Sequence, residues 1–216
     1  MGIRVDLHTH SVGSSDGGLT TEDYRQALEQ GKLDYIAITD HGTIEMAQQI
    51  RDGLGELGER IIVGEEIKTT DGELIGLYLS HRISHGLSPE QTIKAIREQG
   101  GIVYVPHPFE TVRSGISEKG LLKIINDVDI IEIYNSRALF QLKSKKAIAL
   151  AKRYGLRQAA SSDAHGLVGW CKTYTLLDSA PKRDSIVKLL EKARYIKKTA
   201  GLGILYPKLN RKIKKR

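Results

Sequence analysis

The sequence predicts an α/β fold whose mostly parallel strands close, or nearly close, into a barrel. Three observations carry this expectation. Apolar strand-like runs alternate with amphipathic stretches of ten to seventeen residues, which is the pattern of βαβ units. Histidines and carboxylates collect just after the first, second, third, fifth and seventh of those runs; strand ends converge on one mouth in a barrel, whereas an open sheet gathers its site at a single switch point. Finally, 216 residues suffice for one domain with a self-supporting core.

The strand-like runs fall at 3–7, 35–39, 61–63, 74–79, 102–105, 130–133, 157–160 and 174–177. A helix is expected over 20–31, where Thr20 caps three residues before Asp23, Tyr24, Ala27 and Leu28 form an apolar stripe, and Gly31 ends it. Ser88-Pro89-Glu90-Gln91 is a capping box with proline at the first helical position, and that helix runs to Gly100. A further helix is expected over 138–154, closing at Gly155. No repeat or linker marks a second domain; Gly53-Leu54-Gly55 is too short to be a boundary.

Composition narrows the class. With 40% hydrophobic and 27% charged residues and no apolar run of about eighteen, the chain reads as globular without a membrane span. The first strand begins near residue 3 and leaves no room for a signal peptide, so a cytoplasmic location is expected. A single cysteine, Cys171, excludes an intrachain disulfide framework and a thiolate zinc cluster, and is expected to be a small buried hydrophobe. Any metal must be held by nitrogen and oxygen. Trp170 and Tyr174 are expected to pack at the core or rim, with stacking on a substrate ring as the alternative.

The net charge of +7 is an uneven average. Residues 181–216 carry thirteen Lys/Arg against two acidic residues, while the rest holds twenty basic and twenty-four acidic. The expected division is a domain over 1–200 and a basic tail over 201–216. Like-charge blocks at termini are usually solvated, which is the first expectation for this tail; contact with nucleic-acid phosphates or an anionic membrane surface is the alternative.

The chemistry lies in the strand ends. Residues i and i+2 of a strand share a face, so His8 and His10, and Asp163 and His165, can each aim two ligands at one place. Asp40-His41, Glu65-Glu66 and His107 follow other strands, and five of the seven histidines fall at such ends. Imidazole and carboxylate without thiolate suit zinc, manganese or iron(II). Glu65 is one residue out of phase with Glu66 and should face the opposite way. The Gly-rich segment from Gly13 to Gly18 lacks the lysine of a nucleotide P-loop and is expected to bring Asp16 over the site.

Asp6-Leu7-His8-Thr9-His10-Ser11, Ser15-Asp16-Gly17, Thr39-Asp40-His41-Gly42-Thr43, Gly64-Glu65-Glu66, Pro106-His107-Pro108 and Ser162-Asp163-Ala164-His165 resemble, in order and spacing, the successive motifs of the PHP family, named for polymerase and histidinol phosphatase. The resemblance spans about residues 3–177. It implies a single-domain, distorted seven-stranded (β/α) barrel with a two- or three-metal phosphoesterase centre. Carried over by position, it implies that His8, His10, Glu66 and Asp163 hold one metal, that Glu66 bridges to a second shared with His107, and that Asp16, His41 and His165 hold a third. Family members commonly place one more histidine between the Glu66 and His107 positions. Here His81, His85, Asn135 or water are the alternatives for that ligand.

The expected activity is hydrolysis of a small phosphomonoester or nucleotide by water activated between divalent zinc, manganese or iron ions. Arg113 and Arg137 are placed to meet phosphoryl oxygens, His41 to supply a proton to the leaving group, and Asp40 to orient a ligand or assist proton transfer. The competing readings are a phosphodiesterase or exonuclease tethered to nucleic acid by the basic tail, a non-catalytic metal-binding module, and C–N hydrolysis. Oligomeric state is left open.

Overall fold

β1 (Ile3–Thr9), β2 (Tyr35–Ile38) and β3 (Ile61–Thr69) run parallel, β4 (Gly72–Leu77) turns back against β3, and β5 (Ile102–Val105), β6 (Ile130–Asn135) and β7 (Arg157–Ser161) resume the parallel direction. This is a computed structural model, and it describes residues 2–138, 141 and 143–215. These seven strands are neighbours in chain order; β8 (Tyr174–Leu177) and β9 (Arg194–Ile196) add antiparallel beyond β1. The two ends of the seven meet at their C-terminal tips. Asp163 N donates to His8 O and His10 N to Ala164 O, each at 2.9 Å, and Ser162 N reaches the buried Asp6 carboxylate at 3.0 Å. The barrel is thereby nearly closed.

The expected fold class holds, with one local difference. Where an uninterrupted α/β alternation would put a helix between β3 and β4, the chain makes a tight turn in which Thr69 Oγ1 donates to Gly72 O at 2.7 Å. Gly72 has φ of +88°, and a Cβ there would come within 2.4 Å of Ile116 Cα, so the turn needs glycine. The reversal pairs Glu66 with Ile75 and Lys68 with Glu73, and it carries Glu73 to the ligand-bearing end of the sheet.

Around the strands lie α1 (Thr21–Glu29), α2 (Glu45–Gly53), α3 (Pro89–Glu98), α4 (Glu118–Ile124), α5 (Ser144–Tyr154) and the short α6 (Ile186–Leu189). The capping boxes at Thr20/Asp23 and Ser88/Gln91 form as the sequence signals. α5 starts at Ser144, later than the expected 138; Leu139, Phe140 and Leu142 of that stretch lie outside the described residues. Among the described residues no helix is long and apolar enough to cross a membrane.

Period-two alternation divides the apolar residues into two layers. Ile61, Val63, Val103, Val105, Ile131 and Ile133 face outward with the helices, while Ile62, Ile102, Tyr104 and Ile130 pack inward with Leu7, Ile75, Leu77 and Ile186 of α6. Strict alternation along β1 would send Leu7 and His8 to opposite faces. The register of β1 on β2 shifts between Asp6 and Thr9, so Leu7 stays in the inner core while His8 reaches Glu132 of β6. Such irregularities re-aim side chains beside sites.

The basic C-terminal segment differs from the expected solvated tail. Residues Gly201–Leu205 form a 3₁₀ turn and Tyr206–Lys214 a helix, α7, which lies across the Asp16 loop at the barrel mouth.

Candidate metal centre

β1 delivers His8 and His10 to one point. Their Nε2 atoms stand 3.1 Å apart, and each lies within 3.2–3.6 Å of Glu66 Oε2 from β3 and Asp163 Oδ1 from the end of β7. Ligands at 2.0–2.1 Å from a tetrahedral ion are separated by roughly 3.3 Å, so the mutual spacing of His8, His10 and Glu66 fits a bound divalent cation, with Asp163 close to both histidines. Asp163 adopts φ of +52°, the left-handed region that aspartate tolerates better than most residues, and so turns its carboxylate inward.

Glu66 faces two ways. While Oε2 serves the His8 and His10 side, Oε1 lies 2.9 Å from His107 Nε2. On that side Glu73 of β4 has Oε2 4.0 Å from His107 Nε2 and Oε1 4.0 Å from His41 Nδ1, while His107 also groups with His8 and Asp163. Sequence reasoning missed Glu73. His81 is exposed and pairs with Ser80, His85 sits on the rim with Nε2 3.9 Å from Glu65 Oε1, and Asn135 is occupied by Glu132, Asp163 and Arg113. The one available signal was an acidic residue inside the otherwise apolar strand Gly-Glu-Leu-Ile-Gly-Leu.

A further cluster joins Asp16, His41 and His165 with His10. Asp16 Oδ1 lies 3.6 Å from His165 Nε2, and Oδ2 lies 3.7 Å from His41 Nε2. His165 turns Nδ1 toward the Asp163 carbonyl at 2.9 Å, leaving Nε2 buried and without a hydrogen-bond partner among the described residues. An unsatisfied buried imidazole nitrogen beside a carboxylate again fits a cation. The loop that brings Asp16 here requires Gly17, where a Cβ would fall 2.0 Å from Ser11 O.

A PHP-domain profile matches residues 6–136. The chain belongs to the PHP family. Two uncharacterized proteins of Methanocaldococcus jannaschii are similar to it, one 35% identical over 146 residues, covering 62% of this chain and 82% of that protein, the other 31% identical over 170 residues, covering 76% and 65%. Among solved structures, a two-domain Bacteroides vulgatus protein containing a predicted PHP-like metal-dependent phosphoesterase superposes with a TM-score of 0.72 at 18% identity. That superposition covers 92% of this chain and 65% of the other, and it shows a shared fold.

The PHP motifs rest on an inner frame of carboxylates. Glu132 of β6, also missed in the sequence, lies 3.2 Å from His8 Nδ1 through Oε1, accepts from Tyr104 Oη at 2.8 Å, and takes His107 N at 2.6 Å on Oε2. A carboxylate on Nδ1 fixes the tautomer and leaves Nε2 free as a ligand. Asp163 is clamped by Arg113 Nη1 and Arg137 Nη1, each at 3.0 Å, so both sequence-predicted arginines reach the site by way of this carboxylate. Asp40 belongs to none of the ligand groups: it holds the Ser11 backbone N at 2.7 Å and the Ser11 hydroxyl, anchoring the Asp16 loop. Glu65 points outward and accepts from Ile83 N at 2.8 Å. Trp170 packs edge-on against Tyr24, and burial pushes the Cys171 thiol up to about 12.

The electrostatics divide the centre. Burial pulls His8 and His10 toward the neutral form, but the Asp163 and Glu66 carboxylates outweigh it, raising His8 well above its ordinary value and His10 to about 9. Burial wins at His41, which is lowered, and at His165, which falls to about 3 with help from His10 and Arg137. Asp16 is held below the carboxylate range because His165, His41 and His10 outweigh its burial. Glu73 is raised by burial and by the charges of Glu66 and Asp163.

Above the cluster opens a cavity of about 590 Å³, lined among others by His41, Glu73, Arg113, Arg137, Lys208 and Arg211. His41, His107 and His165 all line it, and His41 is the most exposed of the clustered histidines, at 30% against 3% or less for His8, His10, His107 and His165.

Proposed function

We propose that this PHP protein hydrolyses a small phosphomonoester or nucleotide at a two- or three-metal centre. The observation that carries the reading is the divided Glu66 carboxylate, one oxygen among His8, His10 and His41 and the other on His107, beneath a cavity rimmed by cations. His8, His10, Glu66 and Asp163 would hold one divalent ion, Glu66, His107 and Glu73 a second, and Asp16, His41 and His165 a third. Glu73 thus replaces His81, His85 and Asn135 as the proposed partner of His107. Zinc, manganese or iron(II) bound there would lower the pKa of a water and neutralise phosphoryl oxygens.

The chain's own residues do the rest. Arg113 and Arg137 hold Asp163 in place and line the cavity, where they would meet phosphoryl oxygens. His41, half open and lowered by burial, is placed to hold or pass the proton taken by the leaving oxygen. Asp40 acts through Ser11 by fixing the loop that carries Asp16. The nucleic-acid tether loses support, since Arg211 and Lys214 of the basic segment are engaged with Asp16 and with the Val12 and Ser14 carbonyls.

The test is elemental analysis of purified protein followed by a screen of phosphate monoesters, nucleotides and diesters with Mn²⁺ and Zn²⁺, comparing wild type with Glu66→Gln. The expected result is two or three ions per chain and monoester turnover that Glu66→Gln abolishes. Turnover unaffected by Glu66→Gln overturns the site, and metal binding without ester hydrolysis overturns the activity.

A further inference from the structure

Within the Asp16, His41 and His165 set, His41 is bridged to Glu66 just past β2, whereas Asp16 and His165 sit on loops. Those two loops are separated by about 150 residues of chain, and a single side chain joins them. Asn210 Nδ2, on α7, donates to Asp16 O at 2.8 Å and to His165 O at 2.9 Å. The next residue, Arg211, reaches the Asp16 carboxylate, with Nη2 2.8 Å from Oδ2, while Ser14 Oγ donates to Oδ1 at 2.8 Å. One turn further on, Lys214 Nζ lies 2.8 Å from Val12 O and 2.5 Å from Ser14 O. Every one of these contacts falls on the backbone or the carboxylate of a ligand-bearing loop.

The opposing surface is shaped for the helix. A Cβ at Gly18 would stand 2.9 Å from Asn210 Nδ2, and one at Gly166 would stand 2.8 Å from the Tyr206 ring. Neither glycine has positive φ, so close approach of α7 is the reason a side chain does not fit. Apolar burial does little to hold the helix: Pro207 is buried, but Leu209 is 50% and Ile213 68% exposed. A nine-residue helix is marginal on its own, so its order depends on the polar contacts to the two loops.

We infer that α7 is a working part of the metal centre: Asn210 and Arg211 are positioning residues that assemble the Asp16/His41/His165 site, and filling that site and docking α7 are one coupled equilibrium. Carboxylates that bind metal are commonly oriented by an outer hydrogen-bond partner, whose loss costs about 10–100-fold in affinity. Arg211 is that partner for Asp16, and Asn210 fixes the separation of the two backbones. Coupling is reciprocal, so an ion that tightens the loops must also hold the helix down. The basic segment over 201–214 then belongs to the domain it was expected to trail. This rests on the metal-dependent reading proposed above.

The experiment measures two things in the full chain: ions bound per chain at limiting Zn²⁺ or Mn²⁺, and amide hydrogen exchange over 206–214 with the metal or with EDTA. Asn210→Ala and Arg211→Met should each weaken one ion by about tenfold or more while the remaining metal content persists. Lys212→Ala, which removes an equal charge from an exposed position of the same helix, should leave all ions in place. Metal should slow exchange of α7 in wild type, and His165→Ala should abolish that protection. If Asn210→Ala and Arg211→Met keep the full complement, or α7 exchange ignores the metal in a wild type that binds it, the coupling is overturned. A wild type that binds no metal overturns the phosphoesterase reading itself, and is distinguishable on that ground.

Discussion

The two ends of the ligand cluster are built differently. At the inner end His8 and Glu66 sit on strands, His10 and Asp163 follow β1 and β7 directly, and all four side chains are essentially sealed from solvent. At the outer end Asp16 and His165 sit on loops tied by a helix from the far terminus, while His41, bridged to Glu66 just past β2, faces the cavity. Strands fix ligand positions through the barrel's own hydrogen bonds, whereas loops must be held by something else. The inner end is therefore preorganised, and the outer end is conditional.

Removing an inner ligand should break this contrast most severely. His8→Ala should lose the inner ion and reduce turnover by about a thousandfold or more, the several kcal/mol that a catalytic ion contributes. Asp16→Ala should leave the inner ion bound. Equal metal loss in the two variants, measured by elemental analysis, would erase the distinction between the ends.

Protonation sharpens it. His8 and His10 have raised pKa values, so at pH 7 both hold protons that an inner ion must displace. The His10 proton alone should make inner-site affinity rise with pH toward about 9, on the order of a hundredfold above its value at pH 7, with protons released on binding. His41 and His165 are lowered and Asp16 is ionised, so the outer site should release none at neutral pH. Titration calorimetry in buffers of different ionisation enthalpy separates the two. In the metal-free protein the sign reverses: His10 is raised above its unfolded value, so its stabilisation is full below about pH 6.5 and is lost as pH rises through about 9. Melting temperature in EDTA should fall over that window, and added metal should oppose the fall.

Smaller effects come from the supporting carboxylates. Glu132→Gln should weaken the inner ion by about 10–100-fold, because the charge behind His8 Nδ1 is lost while the ligands remain. Glu73→Gln should weaken the ion shared with His107 by about tenfold, and Glu73→His should restore it, since imidazole is the ligand other family members commonly place in this interval. Metal competition assays read both; an unchanged second ion in Glu73→Gln removes Glu73 from the set.

The inner end was the more legible in the chain. His8, His10, Glu66 and Asp163 are tied to strand ends, and the period of two says that Glu65 and Glu66 face opposite ways, with the family resemblance choosing Glu66. Glu73 and Glu132 were hidden because each is one acidic residue in an apolar run. Nothing local separates an inward carboxylate with partners from an ordinary exposed one. Glu73 also depends on the reversal of β4, set by the turn at Gly72 and by pairing with β3 and β5.

The sequence by itself determined the alternating α/β plan, the helix caps and the ligand-bearing strand ends, because propensity, period and capping are local properties of neighbouring residues. Only the tertiary structure decided which carboxylates complete the cluster and what holds its outer loops. Local charge marked 201–216 as a solvated tail; α7 instead lies on the mouth because Gly18 and Gly166 leave room for it and the loop carbonyls offer Asn210 and Lys214 their partners. Those contacts join residues from 45 to 202 positions apart, and a periodicity read along the chain carries no information at that range.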